Sequence, residues 1–379
     1  MIIMRLVLDN IASFKHAEFN FSYPRKIKDS TIDYEYLEGR ENFRFKRVNI
    51  LMGANASGKT MFGRILCDIR TYISKGALDL CDLFFINDNA DSFFELDFVD
   101  PAKHMLYRIH TRFNIEGILE ENLYSVKIAK SDSYEKAVEK LVSQDNKIYD
   151  KNNLNADSEL ISKNTKIFIQ KRFEIQLGWL LLFSESTFTD YDLWDGPFLK
   201  KDILEKILIS FDESIKTISP IEGTEGKAFL ITFKNGDIVT LTNGELSNKQ
   251  RLSSGTYESI RAVLMASLIQ SRSEDLSPNS YFIDELIPHA HTEMEQAILN
   301  LYIGLLGRNS QLFYTTHNYD ILEMNLPLHS YMFFKKDIYT EIIYPATTYK
   351  KNDRNLINAV KNDVFKTVPD THLISDLLV

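Results

Sequence analysis

Gly53-Ala54-Asn55-Ala56-Ser57-Gly58-Lys59-Thr60 fits the pattern G-x-x-x-x-G-K-[ST] without a mismatch. The run before it, Arg47-Val48-Asn49-Ile50-Leu51-Met52, predicts a buried strand. The run after it, Met61 to Ile73, carries Ile65, Leu66, Ile69 and Ile73 at helical spacing. A strand, a glycine-rich turn and a helix in that order is the context the pattern requires. Gly53 and Gly58 let the backbone curl, so that the N–H groups between them face inward on a phosphate. The new helix aims its positive end at the same point. Lys59 is placed for the β- and γ-phosphates, and the Thr60 hydroxyl for Mg²⁺. An ordinary Gly/Ser turn is the competing reading, and the flanking strand and helix count against it.

Composition sets the outer bounds. The 379 residues are 44% hydrophobic and 26% charged, as expected of a globular chain with ample core. Length alone allows two or three domains. Two cysteines, Cys67 and Cys81, are too few for a disulfide framework and read as reduced thiols in a cytoplasmic protein. The opening Met1-Ile2-Ile3-Met4-Arg5 lacks the charged start of a signal peptide, and Asp9-Asn10 interrupts its apolar run. The longest apolar stretch, Leu177 to Phe183, is too short to span a bilayer, so no membrane association is expected. The net charge of −9 argues against a chain that coats itself in nucleic acid.

Further strands are expected at Met4–Leu8, Ala17–Phe21 and Phe43–Met52. Period-two alternation at Phe94–Phe98, Tyr107–Phe113 and Leu123–Ile128 predicts an antiparallel meander. A polar stretch from Ser131 to Lys166 includes a helical pattern at Tyr134–Val142. Thr165 to Asp195 is aromatic and apolar without a clear period. Phe198 to Ile218 predicts one amphipathic helix, with Leu199, Ile203, Leu204, Ile207, Leu208, Phe211, Ile215 and Ile218 on one stripe. Ala228–Phe233 and Asp237–Leu241 flank Asn235-Gly236, a strong hairpin signal. The expected organisation is an N-terminal lobe over 1–130, an inserted and mainly helical subdomain over 131–225, and a C-terminal lobe over 226–379.

Three more stretches carry chemistry. Tyr281-Phe282-Ile283-Asp284-Glu285 is an apolar strand ending in two carboxylates. Asp284 suits a Mg²⁺ site beside Thr60, and Glu285 suits a general base that polarises water. Leu252-Ser253-Ser254-Gly255-Thr256 opens a helix predicted over Tyr257–Ser271. Its N–H groups and hydroxyls suit a phosphate, and they serve equally as a plain N-cap. Gln311-Leu312-Phe313-Tyr314-Thr315-Thr316-His317-Asn318 is a strand that delivers a histidine at its end.

The order Gly53–Thr60, Leu252–Thr256, Ile283–Glu285, Thr315–His317 resembles the ABC-class ATPase heads of the RecF, SMC and OLD group. More narrowly, it is similar to small bacterial ATPases of that group found in anti-phage defence modules, such as the ATPase subunit of PARIS-like systems. The opening Leu6-Val7-Leu8-Asp9-Asn10-Ile11-Ala12-Ser13-Phe14-Lys15 resembles their usual start, and His291, seven residues after Asp284, matches their D-loop region. The resemblance covers roughly residues 1–115 and 225–345. It implies an α/β head: a parallel phosphate-loop core, an antiparallel β subdomain and an inserted, mainly helical subdomain. It implies a homodimer that sandwiches two ATP molecules, each between the phosphate loop of one subunit and the Ser253-Ser254-Gly255 signature of the other, with larger homo-oligomers open. Thr60 and Asp284 would hold Mg²⁺, Glu285 would be the base, and His317 would sense the γ-phosphate. Ser254 stands where many ABC proteins have Gly, although this group often has Ser-Ser-Gly. The Q-loop glutamine has two candidates, Gln170 and Gln176.

Three function classes compete. A nucleotide-dependent switch controlling a separate effector, a nuclease by preference, fits a complete ATPase core with no nuclease cluster, no long arms and a net negative charge. A RecF-like repair or DNA-end-binding ATPase would want long coiled-coil arms or a basic face, and neither is evident. A metabolite kinase leaves Leu252–Gly255 and His317 unexplained. A GTPase would want Asn-Lys-x-Asp, and Asn146-Lys147-Ile148-Tyr149 lacks the Asp. After His317 the carboxylates Asp337, Asp353, Asp363, Asp370 and Asp376 are scattered, as in a small cap rather than a fused nuclease. His289-Ala290-His291 reads as a structural loop, having no third ligand nearby.

Overall fold

In the computed structural model the run before the glycine-rich loop forms the strand Val48–Met52, every residue of it buried. The structure describes residues 1–24, 30–75, 86–143, 147–152, 179–183, 199–221, 228–242, 244–275, 279–288, 290–349 and 356–367. They fall into two units. The first is formed by Met1–Leu181, Pro278–Phe282 and Asn309–Val379, and the second by Leu182–Ser277 and Ile283–Arg308.

The core of the first unit is a sheet in the order Trp179–Leu182, Ser280–Asp284, Gln311–Thr316, Val48–Met52, Tyr331–Lys336, Thr340–Ile343. Val48–Met52 lies parallel to both its neighbours, with Leu312 opposite Val48 and Tyr331 opposite Ile50. Such strands, covered on both faces, read as continuous apolar runs, which is the pattern seen at Val48–Met52 and Gln311–Thr316. The expected strand Phe43–Met52 is two strands, Arg40–Arg44 and Val48–Met52. Lys46 and Arg47 between them are buried and turn inward: Lys46 Nζ donates to Asn20 O at 2.7 Å, and Arg47 Nη1 to Asp33 O at 2.9 Å.

A second sheet, antiparallel, has the order Ala17–Asn20, Ile2–Asp9, Ser92–Asp100, Met105–Asn114, Gly117–Lys127, Lys147–Asn152. This is the meander expected from period-two alternation, with Leu96 opposite Ile109 and Ile109 opposite Leu123. Gln311 stitches the two sheets together. Its Nε2 donates to Ile3 O at 2.9 Å and to Lys46 O at 3.1 Å, while its Oε1 accepts from Ile3 N at 2.7 Å. The helix Tyr134–Leu141 docks on the meander through Tyr134, whose hydroxyl donates to Asp97 Oδ2 at 2.5 Å. Arg108 grips the same carboxylate through Nε at 2.6 Å and Nη2 at 2.7 Å. Beside it, burial alone would raise the Glu95 carboxyl, but His110, Arg108 and Arg5 outweigh burial and hold it at about 2.

The helix after the loop, Lys59–Lys75, packs Phe62 among Phe19, Phe21, Phe282, Phe313 and Phe334, with ring centroids 4.5–6.2 Å away. Gly63 completes the contact: a side chain there would place its Cβ 2.2 Å from the Phe282 ring. Ala would favour the helix by about 1 kcal/mol, and the overlap with a buried ring outweighs that.

The second unit combines a four-stranded antiparallel sheet, Ile215–Pro220, Ala228–Phe233, Ile238–Thr242, Glu245–Leu246, with the helices Lys201–Phe211, Ser254–Glu274 and Thr292–Leu305. The Asn235-Gly236 hairpin is present, with Thr232 opposite Ile238 and Gly236 at φ +91°. The single helix expected over Phe198–Ile218 is corrected. It ends at Phe211, and Ile215–Pro220 is a strand. Asp212 stops it, its Oδ1 accepting from Ser214 N at 2.9 Å and Ser214 Oγ at 2.6 Å, a local turn that competes with the helix. A register shift between Ile215 and Thr217 then puts Ile215 and Ile218 on the buried side, so a bulged strand imitates a helical spacing of three. Among the described residues no helix is long and apolar enough to cross a membrane.

Candidate functional site: a glycine-built phosphate cradle

The strand Val48–Met52 ends against a turn, and the helix starts at Lys59. Close packing requires glycine at 53, and the backbone conformation requires it at 58. A Cβ on Gly53 would lie 2.4 Å from Phe334 O and 2.8 Å from Ser57 Oγ. Gly58 sits at φ +105°, and its Cβ would meet Phe14 Cζ, Ser13 Oγ and Thr340 Oγ1, each at 3.2 Å. Ala56 adopts the left-handed region at φ +59°. The curl between them closes with Ser57 N donating to Ala54 O at 3.3 Å, and the helix begins with Phe62 N to Gly58 O at 2.9 Å. Ala54, Asn55 and Ser57 complete the curl. Thr60 is the second residue of the helix. Such a cradle, with glycines where side chains would collide and a helix start beyond it, fits a phosphate group.

Lys59 is buried and folds back over the loop. Its Nζ donates to Gly53 O at 2.9 Å and to Ala54 O at 3.2 Å. His317, delivered just past the strand Gln311–Thr316, comes to the same point. Its Nδ1 is 3.3 Å from Lys59 Nζ and 3.1 Å from Gly53 O. One ring nitrogen serves one of these at a time. Protonated, Nδ1 donates to the Gly53 carbonyl; unprotonated, it accepts from Lys59. The structure therefore brings together two sequence-predicted elements: the loop, with its Lys59, and His317.

Two supporting residues were not singled out by sequence reasoning. Thr340 Oγ1 donates to Ser57 O at 3.0 Å and lies 2.7 Å from Ser13 Oγ. A threonine hydroxyl has one proton, so Ser13 is the donor in the second bond, and the pair relays a hydrogen bond onto the loop. Thr340 N also donates to Ser13 O at 2.8 Å. Ser13 lies in the quoted opening stretch. Thr340 carries no local signal.

Asp284 is the buried last residue of the strand Ser280–Asp284. Glu285 follows at φ +42°, a left-handed conformation costly for a residue with a Cβ. Such outliers gather at functional sites. In the second unit Ser253 caps the helix Ser254–Glu274, its Oγ accepting from Thr256 N at 3.1 Å. Ser253 and Ser254 are exposed and Gly255 is half-buried. Arg251, just before them, stacks 3.7 Å from the Phe233 ring centroid and donates to Asp237 Oδ2 at 2.9 Å, which ties this turn to the Asn235-Gly236 hairpin. His291 occupies the N-cap position of Thr292–Leu305 without a side-chain capping bond. Among the described residues no group of three His, Cys, Asp or Glu side chains is placed to hold a metal ion. Gln170, Gln176 and His289 lie outside the described residues.

No family model matches the chain, and no curated protein matches it. Solved structures do. The head domain of SMC bound to the C-winged helix domain of ScpA superposes with a TM-score of 0.52 at 12% identity, covering 92% of this chain and 100% of that one. The SMC head domain from Thermotoga maritima gives 0.43 at 12% identity, over 91% of this chain and 99% of that one. The recombination mediator RecF with ATP gives 0.42 at 11%, over 90% and 99%. The first likeness shows the class of fold alone: a mixed α/β fold like that of ABC-ATPase heads, with a parallel core and antiparallel sheets. More particularly, it is similar to the head domain of SMC.

Proposed function

We propose that this chain is an ATP-binding and ATP-hydrolysing ABC-type ATPase that works as a nucleotide-dependent switch on a separate effector. The observation that carries the nucleotide reading is the convergence of Lys59 and His317 on the Gly53 carbonyl, at the mouth of a turn that admits only glycine at its two ends. Lys59 already spends its donors on carbonyl oxygens, so phosphate oxygens can replace them without rebuilding the loop. His317 then loses its contact with Lys59, and the loss reports that the site is filled. Thr60 offers a hydroxyl and Asp284 a carboxylate, the hard oxygen donors that suit Mg²⁺. Mg²⁺, when bound, neutralises charge on the β- and γ-phosphate oxygens. Glu285 is assigned to orient and deprotonate water, and its strained backbone supports a position kept for function.

Ser253, Ser254 and Gly255 are proposed to act on the nucleotide of a second copy, which makes the working form a homodimer. Sedimentation of the Glu285→Gln protein tests this. A shift from monomer to dimer on adding ATP and Mg²⁺ is expected, and an unchanged monomer at saturating ATP refutes the sandwich.

The control of a separate effector, a nuclease by preference, in cytoplasmic anti-phage defence rests on the resemblance of the four ordered motifs. The SMC head with a similar fold is bound to the C-winged helix domain of ScpA, which supports partner docking as a use of this architecture. Co-expression with the neighbouring open reading frame should yield a complex that survives purification and responds to nucleotide. ATP-dependent DNA cutting or tight DNA binding by the purified chain alone would replace this reading with the RecF-like one.

A further inference from the structure

The hairpin joining Tyr331–Lys336 to Thr340–Ile343 carries an apolar residue and an aromatic one at its tip. Ile338 is 75% exposed and Tyr339 is 37% exposed. The tip is held beside the cradle at close range. Thr340, one residue on, donates through Oγ1 to Ser57 O at 3.0 Å and through its backbone N to Ser13 O at 2.8 Å. Tyr339 is thus one Cα step, about 3.8 Å, from a residue bonded to the loop. On the same flank, bonded to Thr340, lies the turn Ile11–His16. Its Ser13 and Phe14 pack where a Gly58 side chain would stand. Lys15 of the same turn lies 4.8 Å over the Tyr339 ring and donates to its hydroxyl at 3.4 Å.

This arrangement fixes an otherwise mobile side chain. The hairpin holds the Tyr339 backbone, and Lys15 holds the ring from one face and at its hydroxyl. A cation on one face of an aromatic ring draws electron density away from the other and favours stacking of an electron-rich heteroaromatic there. The cradle also has two distinguishable flanks. Lys59 and His317 mark the flank at Gly53. Ser13, Phe14 and Thr340 mark the flank at Ser57–Gly58.

We propose that Tyr339, braced by Lys15, is the platform on which the purine base of the bound nucleoside triphosphate stacks. The inference rests on the nucleotide reading above: if the terminal phosphate lies toward His317, the ribose and base leave by the other flank, where the Ile338-Tyr339 tip stands. The platform reads the flat face of a base and not its edge, because stacking alone tolerates any base. It also gives a purpose to the Ser13–Thr340 relay, which keeps platform and cradle at a fixed spacing.

Equilibrium binding of ATP and of inorganic triphosphate to the full chain separates this from its alternatives. Tyr339→Ala should weaken ATP by about 5- to 100-fold, the loss of one base stacked on an aromatic ring, while triphosphate binding stays within about twofold. Tyr339→Phe keeps the ring under Lys15 and loses only the hydroxyl tie, so it should bind ATP more tightly than the Ala variant and triphosphate as the wild type does. An Ala variant whose ATP affinity is within about twofold of wild type overturns the platform and leaves the tip as a protein-docking feature. Equal losses on ATP and triphosphate overturn it as well, since the effect would then run through the loop. Wild-type protein that binds neither ligand removes the nucleotide reading itself.

Discussion

Lys59→Ala is expected to lower ATP affinity by about 10²–10⁴-fold, enough to abolish binding at working concentrations. The lysine is buried and already directed across the loop, with Nζ bonded to Gly53 O at 2.9 Å and Ala54 O at 3.2 Å. It therefore meets a phosphate without a large rotamer cost. Two charge-assisted hydrogen bonds to phosphate oxygens are worth about 1.5–3 kcal/mol each, and their loss gives the stated range. Alanine also leaves the Gly53 and Ala54 carbonyls without their lysine donor. Thermal unfolding of the variant serves as the control, and its midpoint should move little because the helix Lys59–Lys75 accepts alanine readily. Isothermal titration with ATP decides the matter. A variant that retains wild-type affinity and a wild-type unfolding midpoint would remove the phosphate-loop assignment.

What could be read from the chain followed the range of the forces involved. The loop was legible because its rule is local: two glycines five residues apart, a lysine and a threonine, with an apolar run before and a helical stripe after. The hairpin at Asn235-Gly236 was legible for the same reason, since its turn demands a positive φ and Gly236 adopts +91°. The stretch Phe198–Ile218 misled because a bulge restores a three-residue spacing on one face of a strand, and periodicity cannot separate that from a helix. The Asx-type turn at Asp212–Ser214 was the available sign. Contacts between residues far apart left no sign at all. Thr340 reaches Ser57 across 283 positions, and Gln311 joins Ile3 across 308. The make-up of the first unit is of this kind too, because it gathers Met1–Leu181, Pro278–Phe282 and Asn309–Val379. His317 was placed on its strand by sequence, whereas its approach to the Gly53 carbonyl needed the parallel pairing of Gln311–Thr316 with Val48–Met52.

Glu285→Gln is expected to bind ATP as the wild type does and to turn it over about 10²–10⁴-fold more slowly, the usual contribution of a positioned general base. The substitution keeps volume and hydrogen-bonding reach but removes the proton acceptor. It is also the substitution least disturbing to the backbone. Residue 285 sits at φ +42°, immediately after the strand that ends in the buried Asp284. Gln carries the same Cβ as Glu, so the left-handed conformation costs it the same, and the carboxamide stays where the carboxylate was. Alanine or glycine would change the strain and the chemistry together and would leave the result open to two explanations. The rate and the affinity have to be measured separately: single-turnover hydrolysis for the first, titration for the second. A fall in rate with unchanged affinity assigns Glu285 to the transition state rather than to ground-state binding. A variant that hydrolyses ATP within about threefold of wild type would place the base elsewhere, because a loss that small lies far below what a general base supplies.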